Sequence, residues 1–499
     1  MHKNTNVLVK AIRFATLAAV AAPASVMAGG FSLNEQSASQ MGVANAGAAA
    51  NPENATTVFF NPAGMSQLSG TNISFGAAIL DIDAEAKSAS AKNQLGGDVS
   101  GSTGGDIADA AVLPNFYLTH EINDSIDVGF GIHAPYGLAA DYDDDFVGRY
   151  FADKTELTVI SFSPAISINN GKGLSMGLGL NVMYAEGRLT KFQDYSGAYG
   201  RWQKGYNDIG AITAPAPPSA IGVPDPSSVN GFDQGYADIE GDDIAVNFRI
   251  GFLYELSEKT QIGLSAQTPT RFDLEGDAKV SNIPDTTVVT LPGVGDQVFP
   301  TGAQSTQTEK VKVPLEIPES LTVGLRHQIA DDWTVLAGAT YARWGRFEEL
   351  DINSREGASG DVSSATGRTG DTPITHITEE WKNTWQFNVG GIWQATPEWA
   401  FKAGYAFDES PVDQYLTARI PSEDRHWLTL GAQWNDVASG WTVDAAVGTL
   451  IFADDVKVNE FQYLHDAPSK KDPSAGASNY TGEYELSAWS AAIEVSKAF

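Results

Sequence analysis

The stretch WKNTWQFNVGGIWQATPEWAFKAGYAFDE, residues 381–409, decides the fold. Before Thr396-Pro397, one parity reads Trp381, Trp385, Phe387, Val389, Trp393, and the other Lys382, Thr384, Gln386, Asn388. After it, Trp399, Phe401, Tyr405 and Phe407 stand against Lys402 and Gly404. Period two on both sides of a tight turn describes an antiparallel hairpin with one apolar and one polar face. A soluble sandwich would aim its aromatic face at a shared core. Here Trp and Tyr recur near strand ends, as at Trp333 and Tyr341, which suits the two aromatic girdles of a membrane-spanning barrel.

The pattern repeats outward from this hairpin. Short links fall at Ile122-Asn123, Asn170-Gly171, Ser257-Glu258, Ala330-Asp331, Thr396-Pro397 and residues 435–439, with long polar insertions between neighbouring pairs. Tight periplasmic turns and long outer loops are the signature of an outer-membrane barrel. From residue 244 to 254, Ile244, Val246, Phe248, Ile250, Phe252 and Tyr254 alternate with Ala245, Asn247, Arg249, Gly251 and Leu253. The spacing predicts fourteen strands, near 71–83, 111–121, 124–134, 156–169, 173–189, 240–256, 259–279, 311–328, 332–347, 378–395, 398–409, 420–434, 440–456 and 482–499. The predicted fold is all-β, a 14-stranded antiparallel transmembrane β-barrel. In lipid its wall must close on itself, because no water pairs a free strand edge.

Both chain ends agree with export to the outer membrane of a Gram-negative bacterium. Lys3, Lys10 and Arg13 precede an apolar run at 14–22 and then Ser25-Val26-Met27-Ala28, so residues 1–28 read as a signal peptide cut after Ala28. That run is shorter than the ~20 residues a spanning helix needs. At the other end Trp489, Ala491, Ile493, Val495 and Phe499 share one parity. A last strand ending in an aromatic residue resembles the signal read by barrel-assembly machinery. The other surroundings expected are outer-membrane lipid and lipopolysaccharide, around a monomer.

Composition narrows the function. With no cysteine, no disulfide supports the exported chain. A net charge of −31 argues against nucleic acid as a partner. Asp141, Asp143, Asp144 and Asp145 begin like a calcium loop, but Phe146 stands where Gly is needed and no Glu closes it. The seven histidines are scattered, so no metal site is expected. Gly173-Leu174-Ser175-Met176-Gly177 fits a hydrolase elbow, and residues 129–134 a relaxed dinucleotide fingerprint, but neither opens a helix. No cofactor and no enzymatic activity is expected; a lipase or protease would need a nucleophile and base brought together from distant positions.

Residues 29–70 do not alternate. Ala, Gly and Ser dominate 37–50, Asn51-Pro52 interrupts, and Asn61-Pro62-Ala63 turns the chain. A flexible tail would have no use for Val58, Phe59, Phe60 and Met65, whereas a wide barrel must be filled or it leaks. The segment reads as a small, mostly helical hatch inside the barrel of residues 71–499.

Here the chain resembles the long-chain fatty-acid transporter (FadL) family of outer-membrane proteins. The resemblance rests on Gly30-Phe31-Ser32-Leu33-Asn34-Glu35, Asn61-Pro62-Ala63, GFGIHAPYGL at 129–138, YAFDESPVDQ from Tyr405, IPSEDRHWL from Ile420 and VKVNE from Val456. It implies passive uptake of long-chain fatty acids or related hydrophobic compounds. It also implies a hatch on the periplasmic side, with Gly29, Gly30, Phe31, Asn61, Pro62 and Ala63 as its gating residues, and a kinked third strand giving lateral exit. Gly129, Gly131 and Pro135 are the kink candidates, because Gly weakens a ladder and Pro cannot donate to it. Packing of the hatch on the wall is the structural alternative for the glycines. For the substrate carboxylate the candidates are Arg188, Lys191, Arg249 and Arg326, unless lumen acids such as Asp444 and Glu494 pair with the cations. Ile283, Val289, Leu291 and Phe299 offer an apolar outer groove, or a loop packed on its neighbour. The competing function is a general polar-solute porin.

Overall fold

The computed structural model describes residues 29–213, 217–226, 234–291, 295–365, 372–462 and 478–499. The proposed signal peptide, 1–28, lies outside them. The wall strands are β1 Thr71–Lys92, β2 Ala111–Asn123, β3 Ile126–Asp141, β4 Lys154–Asn169, β5 Leu174–Asp194 and β6 Gln234–Ser257. β7 runs as Thr260–Gln267 and Thr270–Leu291, and β8 as Gly295–Ile317 and Ser320–Ala330. β9 Trp333–Ala342, β10 Thr384–Gln394, β11 Trp399–Asp408, β12 Arg425–Asp436, β13 Trp441–Phe452 and β14 Asn479–Ala498 complete the wall. Each pairs antiparallel with its sequence neighbour, and β1 closes on β14 from Asn72↔Ala498 to Lys92↔Asn479.

The wall obeys the two-residue period. Trp385, Phe387, Val389 and Trp393 are exposed on one face of β10, while Asn388 on the other is buried. Trp333, Trp393, Trp399, Trp434 and Trp441 all sit at the short-turn end and face outward, forming the periplasmic girdle. On the outer side the strands run far past the expected boundaries. Hydrophobic alternation marks only the lipid-facing portion, but backbone pairing continues through the polar extensions beyond it. Residues 280–291 and 295–308 accordingly pair as extensions of β7 and β8 rather than forming a loop, with Thr290 opposite Asp296. The insertion 191–235 carries the helix Ser196–Thr213.

Residues 29–70 fill the lumen with single helical turns, Ala38–Met41 and Thr57–Phe60, and 3-10 turns at Ala48–Ala50 and Pro62–Gln67. Their seat is lined by strand glycines. A Cβ at Gly177 or Gly251 would strike the Asn61-Pro62-Ala63 turn, one at Gly263 Ala49, and one at Gly404 Val43. Polar bonds complete the fit. Lys402 Nζ donates to Ser39 O at 3.1 Å, Glu53 at 2.5 Å and Asp444 at 3.0 Å, while Glu494 accepts from the Ala38 N–H and from Asn54. Lys402 bridges two carboxylates, so removing it would leave buried charge unpaired.

Candidate functional site

Three features of the lumen and its wall are candidates for a functional site: an outer pocket, an inner pocket and an irregularity in β3. The outer pocket has an empty volume of about 660 Å³, including space at its mouth. Phe31, Leu138, Leu157, Ile239, Leu274, Val313, Leu315 and Phe347 line it. Phe31 forms its floor, 1% exposed, packed edge-on to Trp344 at 4.6 Å and beside Phe347 and Trp381 at 5.9 and 5.8 Å. Gly30 keeps φ +66 directly under Trp344, where a Cβ would collide with the indole.

Five charged residues, Glu156, Arg188, Glu240, Glu379 and Arg419, interrupt this apolar lining, and Glu379 and Arg419 among them are nearly fully buried. Arg419 is 4% exposed and gives hydrogen bonds to Lys154 O, Thr155 Oγ1 and Thr190 O. Its Nε is buried with no partner. A buried N–H donor left open at an apolar pocket is an uncommon arrangement, and it suits an incoming anion. Sequence reading missed Arg419, because it lies outside the wall strands, where parity does not say which way a side chain points.

The predicted headgroup residues separate. Arg188 lines the outer pocket, but Asp238 holds its fork with two bonds of 2.9 Å. Lys191 lies in a neighbouring outer cleft with Tyr150, Phe151 and Glu460. Arg326 is on the inward parity of β8, four residues from the end of that strand at a periplasmic turn. Arg249 faces the inner pocket with Phe59, Phe60, Tyr136 and Gln267. Of the other inward cations, Lys402 is held by Glu53 and Asp444, and Arg425 by Asp408 at 2.9 Å.

The apolar outer residues do not form one groove. Leu291 and Phe299 are buried with Trp202, Ile209 and Val223, and Val289 packs against them. Ile283 belongs to a different cluster, with Val280 and Phe272. The helix Ser196–Thr213 covers this side of the hairpin, leaving Val288 and Val298 exposed on the opposite side.

The third strand departs from its neighbours at one point. Its ladder with β2 runs from Asn123↔Ile126 only to Phe116↔Ile132, and no pairing joins the rest of β3 to β2. On the β4 side the register slips between His133↔Ser161 and Tyr136↔Val159, one surplus residue in β3. The freed groups turn to the hatch: Leu33 N donates to Pro135 O, Gly137 N to Phe31 O, and Gln36 Nε2 to Ala134 O. Above, Asp141 N donates to Ile107 O. The result is a bounded gap in pairing between β2 and β3. It begins at His133, within the stretch bracketed by Gly129, Gly131 and Pro135, and faces residues 31–36 of the N-terminal segment. Gly129 has a packing reason, since a Cβ there would strike Met65 and Val58 of the hatch. At Gly131 it would crowd Tyr117.

Asn61 instead pins the hatch to β6. Its Nδ2 donates to Ala49 O at 2.6 Å and Phe252 O at 3.0 Å, and its Oδ1 accepts from Ala63 N at 3.1 Å. Asn61→Ala is expected to cost about 2–3 kcal/mol locally, from the backbone groups left open. Heat-modifiability on gels should show an intact barrel, and labelled-oleate uptake should drop; normal uptake at normal expression would remove Asn61 from gating. Among the described residues Glu349, Asp351 and His376 bring ligand-type atoms within 4.8 Å, a grouping that sequence spacing concealed because it joins two strands of an outer hairpin. His376 is bonded there to Asp351 at 2.6 Å and Thr378 at 2.9 Å.

Residues 18–499 match the family model described as outer membrane protein transport protein (OMPP1/FadL/TodX). The chain belongs to this family. A long-chain fatty acid transport protein of Escherichia coli is 27% identical over 465 residues, covering 92% of each chain. Among solved structures, a FadL homologue of Pseudomonas aeruginosa matches with a TM-score of 0.73 at 20% identity, over 95% of this chain and 99% of that one. The toluene transporter TodX of Pseudomonas putida matches at 0.60 and 16% identity, over 94% and 99%. This FadL-family chain is therefore an outer-membrane transporter of hydrophobic compounds and not an enzyme. The polar-porin and hydrolase alternatives fall away.

Proposed function

We propose that the protein takes up long-chain fatty acids, which pass from the outer pocket, along a hatch that yields, to the gap between β2 and β3 and out into the membrane. The observation that carries this reading is the open Nε of Arg419 at an apolar pocket. A neutral hydrocarbon needs no such donor, whereas a carboxylate binds it with a charge-assisted bond. Exposed Val288 and Val298 on the outer hairpin supply first contact. The hatch contacts of β3 allow its unpaired groups to stay satisfied beside lipid, which a lateral route requires. Extraction of the purified protein, with identification of bound lipid, tests the reading. Co-purifying fatty acid supports it; neutral or aromatic hydrocarbon, with no oleate binding, overturns it.

The outer pocket should also respond to pH. Burial pushes Glu379 up to about 8, against the opposing pulls of the Trp381 indole N–H and Arg419. Burial likewise raises Glu460 to about 7, while the Ala418 N–H and Arg419 pull it down. Both lie outside the membrane-spanning segments. An acid with a raised pKa is neutral below it and charged above it. Oleate, with an ordinary carboxylate pKa near ~4–5, stays ionised over the range. Its affinity should therefore fall as pH rises from about 6 to about 9, as ionised Glu379 and Glu460 compete for Arg419. Glu379→Gln should flatten the upper part of that profile in an equilibrium binding titration.

A further inference from the structure

We propose that Arg249 forms a second anion station, deep in the barrel, which receives the carboxylate of the transported molecule beside the irregularity in β3. The proposal rests on fatty-acid uptake and adds a residue that sets both the path and the preference for an acid.

The inner pocket has an empty volume of about 750 Å³, including space at its mouth. Arg249 projects into it from β6 with its guanidinium 5.0 Å from the Phe59 ring centroid, on the hatch. Its one hydrogen bond among the described residues runs from Nη2 to Gln267 Oε1, at 2.6 Å. No carboxylate of the described residues comes within 4.0 Å of it. Lys402 and Arg425 are neutralised by acids in this lumen, whereas Arg249 is not. A charge with few partners in a partly dry site keeps most of its attraction for an anion.

A second donor stands with it. Gln267 Nε2 donates to Tyr136 Oη at 2.7 Å, which leaves the phenolic proton of Tyr136 free to give. Tyr136 is the first residue after the register slip in β3. Guanidinium and phenol thus converge on one space with Phe59 and Phe60 beside it, a match for a carboxylate with an apolar tail. Phe31 separates this pocket from the outer one: Phe31 lines the outer pocket, and Ser32, Leu33 and Asn34 line the inner. A headgroup leaving Arg419 therefore meets Arg249 next, once the segment around Phe31 has moved.

The experiment compares oleate with oleyl alcohol, two probes alike in length and differing in charge, using purified full-length protein in proteoliposomes. Arg249→Met should slow oleate uptake at saturating concentration at least tenfold, while oleyl alcohol uptake and oleate binding at the outer pocket stay within about twofold. Arg249→Lys should restore part of the rate, because charge returns without the fork. Equal slowing of both probes would overturn the proposal and make Arg249 a support for the hatch through Phe59. An unchanged oleate rate would overturn it as well. If wild-type protein handles no oleate at all, the fatty-acid reading fails, and this proposal with it; if it does, only the variant ratios decide.

Discussion

Replacing Arg419 with Gln is expected to weaken oleate binding by about 10- to 100-fold while leaving oleyl alcohol binding within about twofold. The estimate follows from a charge-assisted hydrogen bond in a dry site, worth ~1.5–3 kcal/mol, at about 1.4 kcal/mol per decade of affinity. Arg419 also ties Lys154, Thr155 and Thr190 together, so Gln could disturb the pocket as well as the charge. Arg419→Lys separates the effects. Lys keeps the charge and loses the fork, so it should recover part of the oleate affinity. A binding titration on purified protein measures this. Equal losses for acid and alcohol would mean that Arg419 only shapes the pocket.

Deleting Pro135 is expected to cut oleate uptake to near background with binding at the outer pocket kept within about twofold. β3 spends three steps from His133 to Tyr136 where β4 spends two from Ser161 to Val159. Removing one residue equalises the count, and removing Pro also removes the residue that lacks an N–H for the ladder. The upper part of β3 is then able to pair along Ala111, Leu113 and their neighbours in β2, which pair only with β1 as the protein stands. A closed wall satisfies every strand group in lipid, so the straightened strand should be stable and the lateral way out shut. Proteoliposome uptake and heat-modifiability read the two consequences separately. Full uptake by a folded deletion variant would exclude exit at β3.

Much of this was legible in the residues. The faces of β6, β10 and β11 follow from strict alternation, a local property that survives any tertiary arrangement. The inward position of Arg249 follows from the same parity, as do those of Lys402 and Arg425. The glycines of the wall were legible as residues but not in purpose. Gly177, Gly251, Gly263 and Gly404 lie under the hatch, and nothing in their own strands announces a turn of chain from a hundred or more residues away. The outer loops were misread for a related reason. Polar extensions of β7 and β8 carry no lipid-facing pattern, so their strand character shows only in the pairing, and their apolar residues were free to meet the helix Ser196–Thr213.

By itself, then, the sequence determined the class of solvent on each face of the wall, the fourteen strands and the presence of a non-alternating segment to occupy the lumen. These depend on side-chain period and turn spacing, which are set within a few residues. The tertiary structure alone decided which cations are spoken for and where the wall is unpaired. Lys402 is neutralised by Glu53, 349 positions away, while Arg249 has no carboxylate partner among the described residues and Arg419 keeps its Nε unpaired. The break in β3 is a matter of register against β2 and β4 and of hatch groups that accept the strand's leftover bonds. Charge compensation and strand register are relations between distant segments, and they exist only once the barrel has closed around its hatch.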